Sequence, residues 1–395
     1  MNSSLVEKVV SSHKCKFGSP PAAVAYAPGR IEVLGNHTDY NEGFVLSAAI
    51  DAGVCTAVSA GEGNHCVFSA IDMGEETGCD LPAEQPVKNP HWANYLIGVT
   101  NLLGKEGRIE RGFNSSFAGD VPQGAGLSSS AALEVSAALA LSSFYGLKLP
   151  KIQLVKLCQR AENEFTGARC GLLDQISSLF GKAQSLIFTD FRSLEVTTES
   201  IGANACFLMA NTEVKHNLVE SDYNERRASC EQAAKYFASV LDHPVKALRD
   251  VSPDELKKHS AGLDPVILKR AAHIIGENER VLKARLFLKA GDMKKFGELM
   301  FDSHESSRLN FENSCKELDF IVKIASGLKE VLGARLSGGG FGGSAVLLVH
   351  PNHAEQTGRT ISSAYAKQFG TPCQVRAIKP SAGAFVLAEN LEIKG

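Results

Sequence analysis

A glycine- and serine-rich turn, Gly119 to Ser130 (GDVPQGAGLSSS), runs straight into a stretch dense in Ala and Leu, Ala131 to Tyr145. That junction constrains the fold more than any other segment. Ala and Leu at this density favour a helix. The small residues before it leave a loop whose serines can cap the helix and whose unpaired backbone N–H groups face outward. A helix N-terminus offers partial positive charge and free donors, so such a loop suits an anion, phosphate above all. Its serine hydroxyls also suit Mg2+. An ordinary capped helix gives the same pattern, and on these residues alone the two readings stand level.

Familiar nucleotide signatures do not decide between them. GxxxxGK[ST] occurs nowhere in the chain. Gly338 to Gly343 matches G-x-G-x-x-G, but a dinucleotide fold needs a helix after it, and the following SAVLLV reads as a strand, Ser344 to Val349. Two further strands are expected, Val24 to Leu34 and Phe44 to Val58, rich in β-branched and apolar residues and bounded by Pro and Gly. Within the first, alternation puts Ile31 and Val33 on one face and Arg30 and Glu32 on the other. That charged face leads into a polar loop, GNHTDYNEG, Gly35 to Gly43.

Composition bounds what the chain can serve. Its 395 residues exceed what one core holds comfortably, so two domains are expected, 1–195 and 196–395, with the last strands free to return to the first domain. Helical stretches near Val214 to Leu241, Asp264 to Ala290 and Asp292 to Asn310 mark the change of pattern. With 41 basic and 44 acidic side chains, the surface gathers neither nucleic acid nor anionic membrane. The apolar stretch from Ala131 to Phe144 is broken by Glu134 and serines, and MNSSLVEKVV lacks a signal pattern. Ten scattered cysteines form no CxxC pair or Cys/His ligand spacing, which argues for reduced thiols and a cytoplasmic protein.

Taken together the motifs become recognisable. APGRIEVLGNHTDYNEGFVL (27–46) closely resembles the galactokinase signature, GDVPQGAGLSSSAALE the phosphate-binding loop of the GHMP small-molecule kinases, and GARLSGGGFGGSAVLL (333–348) their third motif. HWANYLIGV, ENEFTGARCGLLDQISSLFG, ESDYNERR and FGELMFDSHESSRLNFENSCKELD resemble galactokinase segments in the same order, so the resemblance spans nearly the whole chain. It implies an α+β GHMP kinase fold, with an N-terminal ribosomal-S5-domain-2-like domain and a C-terminal ferredoxin-like domain around one active site. The implied reaction moves the ATP γ-phosphate to the anomeric hydroxyl of a galactose-like sugar, with Mg2+ as cofactor. The implied partners are sugar and ATP, and a monomer suffices.

The resemblance also assigns residues. Asp174 matches the catalytic base. If 171–180 is helical, Leu172, Leu173, Ile176, Leu179 and Phe180 share an apolar face and Asp174 points away from it. Arg30 matches the arginine beside that base and the γ-phosphate, where a fork of donors gives more directional control than a lysine. Ser128 and Glu162 match the Mg2+ ligands. Trp92 and Tyr95 match aromatics near the nucleotide base, and Gly124, Ala125, Gly126, Leu127, Ser128, Ser129 and Ser130 the phosphate cradle. His37, Asp39, Gly171 and Tyr223 match sugar contacts, Asp39 accepting from two neighbouring hydroxyls.

One position departs from the pattern. Asn36 stands where galactokinases usually carry the Glu that holds the sugar's exocyclic hydroxymethyl. A neutral acceptor bonds more weakly than a carboxylate by about 1 kcal/mol, so affinity or sugar choice is expected to shift. Two alternatives therefore accompany the galactose reading. One is a 1-kinase for a related sugar such as N-acetylgalactosamine. The other is a non-catalytic sugar and ATP sensor, disfavoured because GLSSSAALE is intact.

Overall fold

The computed structural model describes residues 3–106, 109, 111–122, 124–214 and 219–387. Met1, Asn2, Gln123 of the serine–glycine loop and residues 215–218 of the helix expected from Val214 lie outside them.

Two sheets organise the chain. The first begins with the long antiparallel pair β1 (Ala23–Leu34) and β2 (Phe44–Ala60), close to the strands expected from sequence. It continues with β3 (His65–Ala70), β4 (Glu75–Asp80), β5 (Phe113–Gly119), β6 (Ser185–Asp190) and β7 (Glu195–Ser200). The second comprises β8 (Cys206–Asn211), β9 (Val331–Ser337), β10 (Ser344–Val349) and β11 (Gln374–Ile378), antiparallel in the order β11-β8-β10-β9. After it β12 (Phe385–Val386) returns to pair with β1. In the first sheet the path is β12-β1-β2-β5-β3-β4. The start of β2 pairs with β6 and its end with β5, so this one strand serves two branches.

Period-two alternation fills both faces of the second sheet. Leu208, Ala210, Ala345 and Leu347 pack against the helices Lys316–Ser326 and Ala354–Phe369 through Leu318, Ile321, Ile361 and Tyr365. Phe207, Met209, Val346 and Leu348 point the opposite way, into a core shared with Ile31, Val33 and Leu46 of the first sheet and with Val281, Phe296 and Met300. The apolar face of β1 is thus buried against the second sheet's core. One face of the first sheet carries the helices Ala93–Lys105, Ser129–Phe144, Lys151–Thr166 and Leu173–Phe180. The helix Ser129–Phe144 is apolar nearly all round because it is enclosed by sheet and helices together. Among the described residues no helix is long and apolar enough to cross a membrane.

Two irregularities in β1 aim its polar side chains. The β1–β2 register shifts between Pro28 and Arg30 and again between Glu32 and Leu34, so a regular segment, Arg30 to Glu32, is bracketed by bulges. Bulges bend a strand and redirect its side chains. Here Ile31 is buried in the shared core while Arg30 and Glu32 turn toward the end of β9. Ser337 of β9 clips the strand there: its Oγ donates to the Glu32 carbonyl at 3.0 Å and accepts from the Glu32 N–H at 2.9 Å.

The helix expected over 292–310 ends earlier as an α-helix. Met293–Ser306 is α-helical, and Ser307–Phe311 widens into a π-turn. The widened turn buries Phe311 completely against His273, ring centroids 4.5 Å apart, and frees the carbonyls of Asn310 and Phe311. Arg270 and Arg226 take those carbonyls at 2.5 Å and 2.7 Å.

Candidate active site

Arg30 and Asp174, 144 residues apart in sequence, meet at the heart of the fold. Arg30 Nε donates to Asp174 Oδ1 at 2.7 Å, and Nη1 donates to the carbonyl of Gly126 at 2.5 Å. Ser128 Oγ donates to the other carboxylate oxygen, Oδ2. Only 7% of the Arg30 side chain is exposed, against 26% for Asp174, so the guanidinium is fixed from behind and the carboxylate faces open space. Asp174 lies in the first turn of the helix Leu173–Phe180, whose Leu173, Ile176 and Leu179 are buried. That apolar face sets the direction in which Asp174 points.

The serine–glycine loop behaves differently at its serines than capping propensity implies. Ser128 stands at the N-cap position with φ 56°, in the left-handed region, and makes no side-chain cap bond, because its hydroxyl is committed to Asp174. The loop carbonyls turn inward: Leu127 accepts from Arg30 N–H at 3.0 Å, Gly126 from the Arg30 side chain, and Ala125 from Ser344 Oγ at 2.7 Å. Among the described residues no acceptor meets the N–H groups of Gly126, Leu127 or Ser128. An anion facing this loop would find donors without competition. Ala125 and Leu127 are themselves buried core residues and contribute backbone only. The third glycine segment comes within reach of the same spot. A Cβ on Gly338 would stand 3.3 Å from the Gly126 carbonyl and 3.8 Å from Arg30.

Two clefts flank this wall. One, of about 560 Å³, brings together every residue expected to meet the sugar: Arg30, Asn36, His37, Asp39, Gly171, Asp174 and Tyr223. The other, of about 1370 Å³, is lined by Trp92, Tyr95 and Phe117 together with Gly124, Ser129 and Ser130. Trp92 Nε1 donates to Glu75 at 2.6 Å, which fixes the ring in the lining of this cleft. Below the loop lies a carboxylate cluster. Gln175 Nε2 donates to Glu162 at 2.8 Å and Glu134 at 3.2 Å, and Ser130 bonds Glu162. Burial raises the pKa of both carboxyls. The charge of Glu162 adds to the effect on Glu134, and that of Asp174 adds to it on Glu162.

In the smaller cleft each expected sugar contact has a distinct situation. Gly171 is required by sterics, because a Cβ there would collide with the Asp39 carboxylate. Asp39 is pushed up to about 7 by burial, reinforced by the charges of Glu32 and Asp174. The Tyr223 ring packs 4.9 Å from His37. His37 itself is held at about 4 by burial and is therefore neutral. Its Nε2–H donates to Gly339 at 3.0 Å and its Nδ1 accepts from Tyr40 OH at 2.8 Å, so its ring, not a free nitrogen, lines the cleft. Asn36 is completely buried: Nδ2 donates to Glu32 and to Gly338, both at 2.8 Å, and Oδ1 accepts from Asn313 at 2.9 Å.

Sequence reasoning passed over the residues that hold this loop in place. The helix Pro265–Ala290 presents His273, Glu277 and Asn278 to it. Glu277 accepts the N–H groups of Gly35 at 2.9 Å and Asn36 at 2.8 Å, His273 donates to the Asn36 carbonyl at 3.2 Å, and Asn278 accepts from Phe44 N–H at 3.0 Å. Burial alone would raise the Glu277 pKa, but the charges of Arg280 and Arg335 outweigh it and hold the carboxylate ionised. A His and a Glu one turn apart in a helix with many apolar positions were the available signal.

Comparison with known proteins places these features among relatives. Family profiles match at residues 94–182, GHMP kinases N terminal domain; 11–60, Galactokinase galactose-binding signature; and 284–367, GHMP kinases C terminal. A galactokinase of Actinobacillus pleuropneumoniae serotype 5b is 40% identical over 359 residues, covering 90% of this chain and 92% of its own. One of Glaesserella parasuis serovar 5 is 38% identical over the same length and coverage. Among solved structures, Lactococcus lactis galactokinase complexed with galactose superposes with a TM-score of 0.91 at 30% identity, covering 96% of this chain and 99% of that one. Methanococcus jannaschii mevalonate kinase, at 18% identity and a TM-score of 0.61 over 92% and 99% of the two chains, shares the fold.

Proposed function

This chain belongs to the galactokinases, a branch of the GHMP kinases, and from that premise we propose how its own residues transfer the ATP γ-phosphate to the anomeric hydroxyl of galactose. The observation that carries the reading is the Arg30–Asp174–Ser128 cluster, set in the wall between a polar cleft and an aromatic-lined one. Galactose occupies the first and ATP the second, with the nucleotide's last phosphate at the serine–glycine loop. The anomeric oxygen forms a bond to the γ-phosphorus while the bond from that phosphorus to the β–γ bridging oxygen breaks, releasing ADP. Asp174 accepts the hydroxyl proton. Arg30 stands beside both reacting partners and offsets the charge that spreads over the transferring group.

The same loop suits Mg2+. Glu162, Ser128 and Ser130 offer hard oxygen donors at the loop, and the pKa of Glu162 is raised by burial and by Asp174, conditions a divalent cation would relieve. Among the described residues no cluster of three or more His, Cys, Asp or Glu side chains is arranged to hold a metal, so the phosphates must supply much of its coordination. When bound there, Mg2+ neutralises phosphate charge.

The direct test is a product assay with ATP and a panel of free sugars, including N-acetylgalactosamine. Galactose is expected to give galactose 1-phosphate at the highest kcat/KM. A better rate on another sugar would reassign the acceptor, and binding without any sugar phosphate would make the protein a sensor.

Asp39 provides a pH test. Its carboxyl titrates near 7 because burial, then Glu32 and Asp174, oppose its charge. The ionised form accepts from two sugar hydroxyls through charge-assisted bonds, whereas the protonated form turns one oxygen into a donor and loses the charge. The galactose KM is therefore expected to fall as pH rises through 7 and to climb below it, approaching about tenfold per pH unit. Asp39→Asn should flatten this slope. An unchanged slope in Asp39→Asn would assign the titration to another group.

A further inference from the structure

The two motif residues best placed to hold the far end of the sugar are already occupied. Both amide hydrogens of Asn36 go to Glu32 and Gly338, its oxygen to Asn313, and the side chain has no exposure. Both nitrogens of His37 are likewise spent within the protein. Glu32 differs. It lines the same cleft and keeps 3% exposure. Its Oε1 accepts from Asn36 Nδ2 at 2.8 Å and from Arg335 Nη1 at 2.9 Å, whereas among the described residues no donor meets Oε2.

The position along β1 fits a substrate contact. Arg30 and Glu32 share one face of the regular segment between two bulges, about 7 Å apart along the strand. With Arg30 beside the reacting anomeric carbon, Glu32 lines the same cleft at a separation on the scale of a pyranose ring. Arg335, completely buried, makes its ion pair with Glu32 and anchors the carboxylate from the second sheet. A side chain held by one oxygen leaves the other as a fixed acceptor.

We propose that Glu32 is a specificity-determining sugar-binding residue whose Oε2 accepts the exocyclic hydroxymethyl of galactose, with Asn36 serving as the strut that orients it. The carboxylate that the resembling signature carries at position 36 is thereby supplied from position 32, across a single side-chain hydrogen bond. This rests on the galactose 1-kinase reading and names the residue that reads one hydroxyl of its substrate.

The test compares galactose with 6-deoxygalactose, which lacks that hydroxyl, on wild type, Glu32→Gln and Glu32→Asp at saturating ATP. Glu32→Gln is expected to raise the galactose KM by roughly five- to tenfold with kcat and the ATP KM within about threefold, and to change 6-deoxygalactose by less than about threefold. Glu32→Asp keeps the charge facing Arg335, so it guards against a variant that fails to fold. It should repeat the pattern at reduced size. Equal losses on the two sugars, or no loss on either, in the variants that fold would overturn the assignment and leave Glu32 a structural partner of Arg335. Wild type that does not phosphorylate galactose would instead refute the parent reading, whatever the variants do.

Discussion

Asp174→Asn is expected to lower kcat by at least about a thousandfold while the protein stays folded and still binds ATP and galactose. The substitution preserves shape and most of the local hydrogen bonding. Its carbonyl can still accept from Arg30 Nε, and its amide can donate to Ser128 Oγ in place of the present bond in the other direction. What disappears is the proton acceptor facing the cleft. Thermal melting within a few degrees of wild type, together with unchanged ligand affinities, would separate a chemical defect from a folding one. Turnover within tenfold of wild type would remove Asp174 from the proton-accepting role and leave transfer to positioning and charge alone.

Arg30→Lys carries the second large effect, a fall in kcat of roughly a hundred- to a thousandfold, with the charge formally conserved. The reason is geometric. One guanidinium reaches Asp174 through Nε and the Gly126 carbonyl through Nη1, so it joins the carboxylate to the phosphate loop. An ammonium is a point charge on a flexible stem and cannot hold both at those directions. Because Arg30 is almost fully buried, Arg30→Ala would in addition leave the Gly126 carbonyl without its donor, so the lysine variant isolates the catalytic loss more cleanly. A steady-state assay beside a thermal melt decides it. A lysine enzyme within about fivefold of wild type would mean that charge, not the fork, is what the site needs.

The site depends on parts of the chain that do no chemistry. Loop Gly35 to Gly43 is clamped by Glu277, His273 and Asn278 from a helix more than two hundred residues away, and Asn36 is packed through Asn313. Glu277 is the only one of these with a charge, and Arg280 meets it at 2.5 Å on the same helix. Buried ion pairs of this kind hold geometry more than they add stability, since desolvation offsets most of their attraction. The Glu32–Arg335 pair, completely buried at Arg335, does the same between the two sheets.

Much of this was legible in the linear chain. The turn from Gly119 into an Ala/Leu helix, the strand SAVLLV after its glycines and the alternation of Arg30 and Glu32 against Ile31 and Val33 all follow from local preferences. Local preferences act between neighbours, and the sequence states neighbours directly. The motif order carried the family in the same way, as spacing. Other features were illegible because they depend on which distant groups compete for a side chain. Ser128 looks like a helix cap until Asp174 offers its hydroxyl a stronger acceptor. His37 and Asn36 look like ligands until Tyr40, Gly339, Glu32, Gly338 and Asn313 use up their polar atoms.

By itself, then, the sequence determined the elements, the family and a set of candidate residues for the site, because those are matters of periodicity and spacing. Tertiary structure decided which of those residues remain available to a substrate. Hydrogen-bond donors and acceptors are finite, and only the folded chain shows that the Asn36 and His37 side chains are spent inside the protein while an oxygen of Glu32 meets no protein donor.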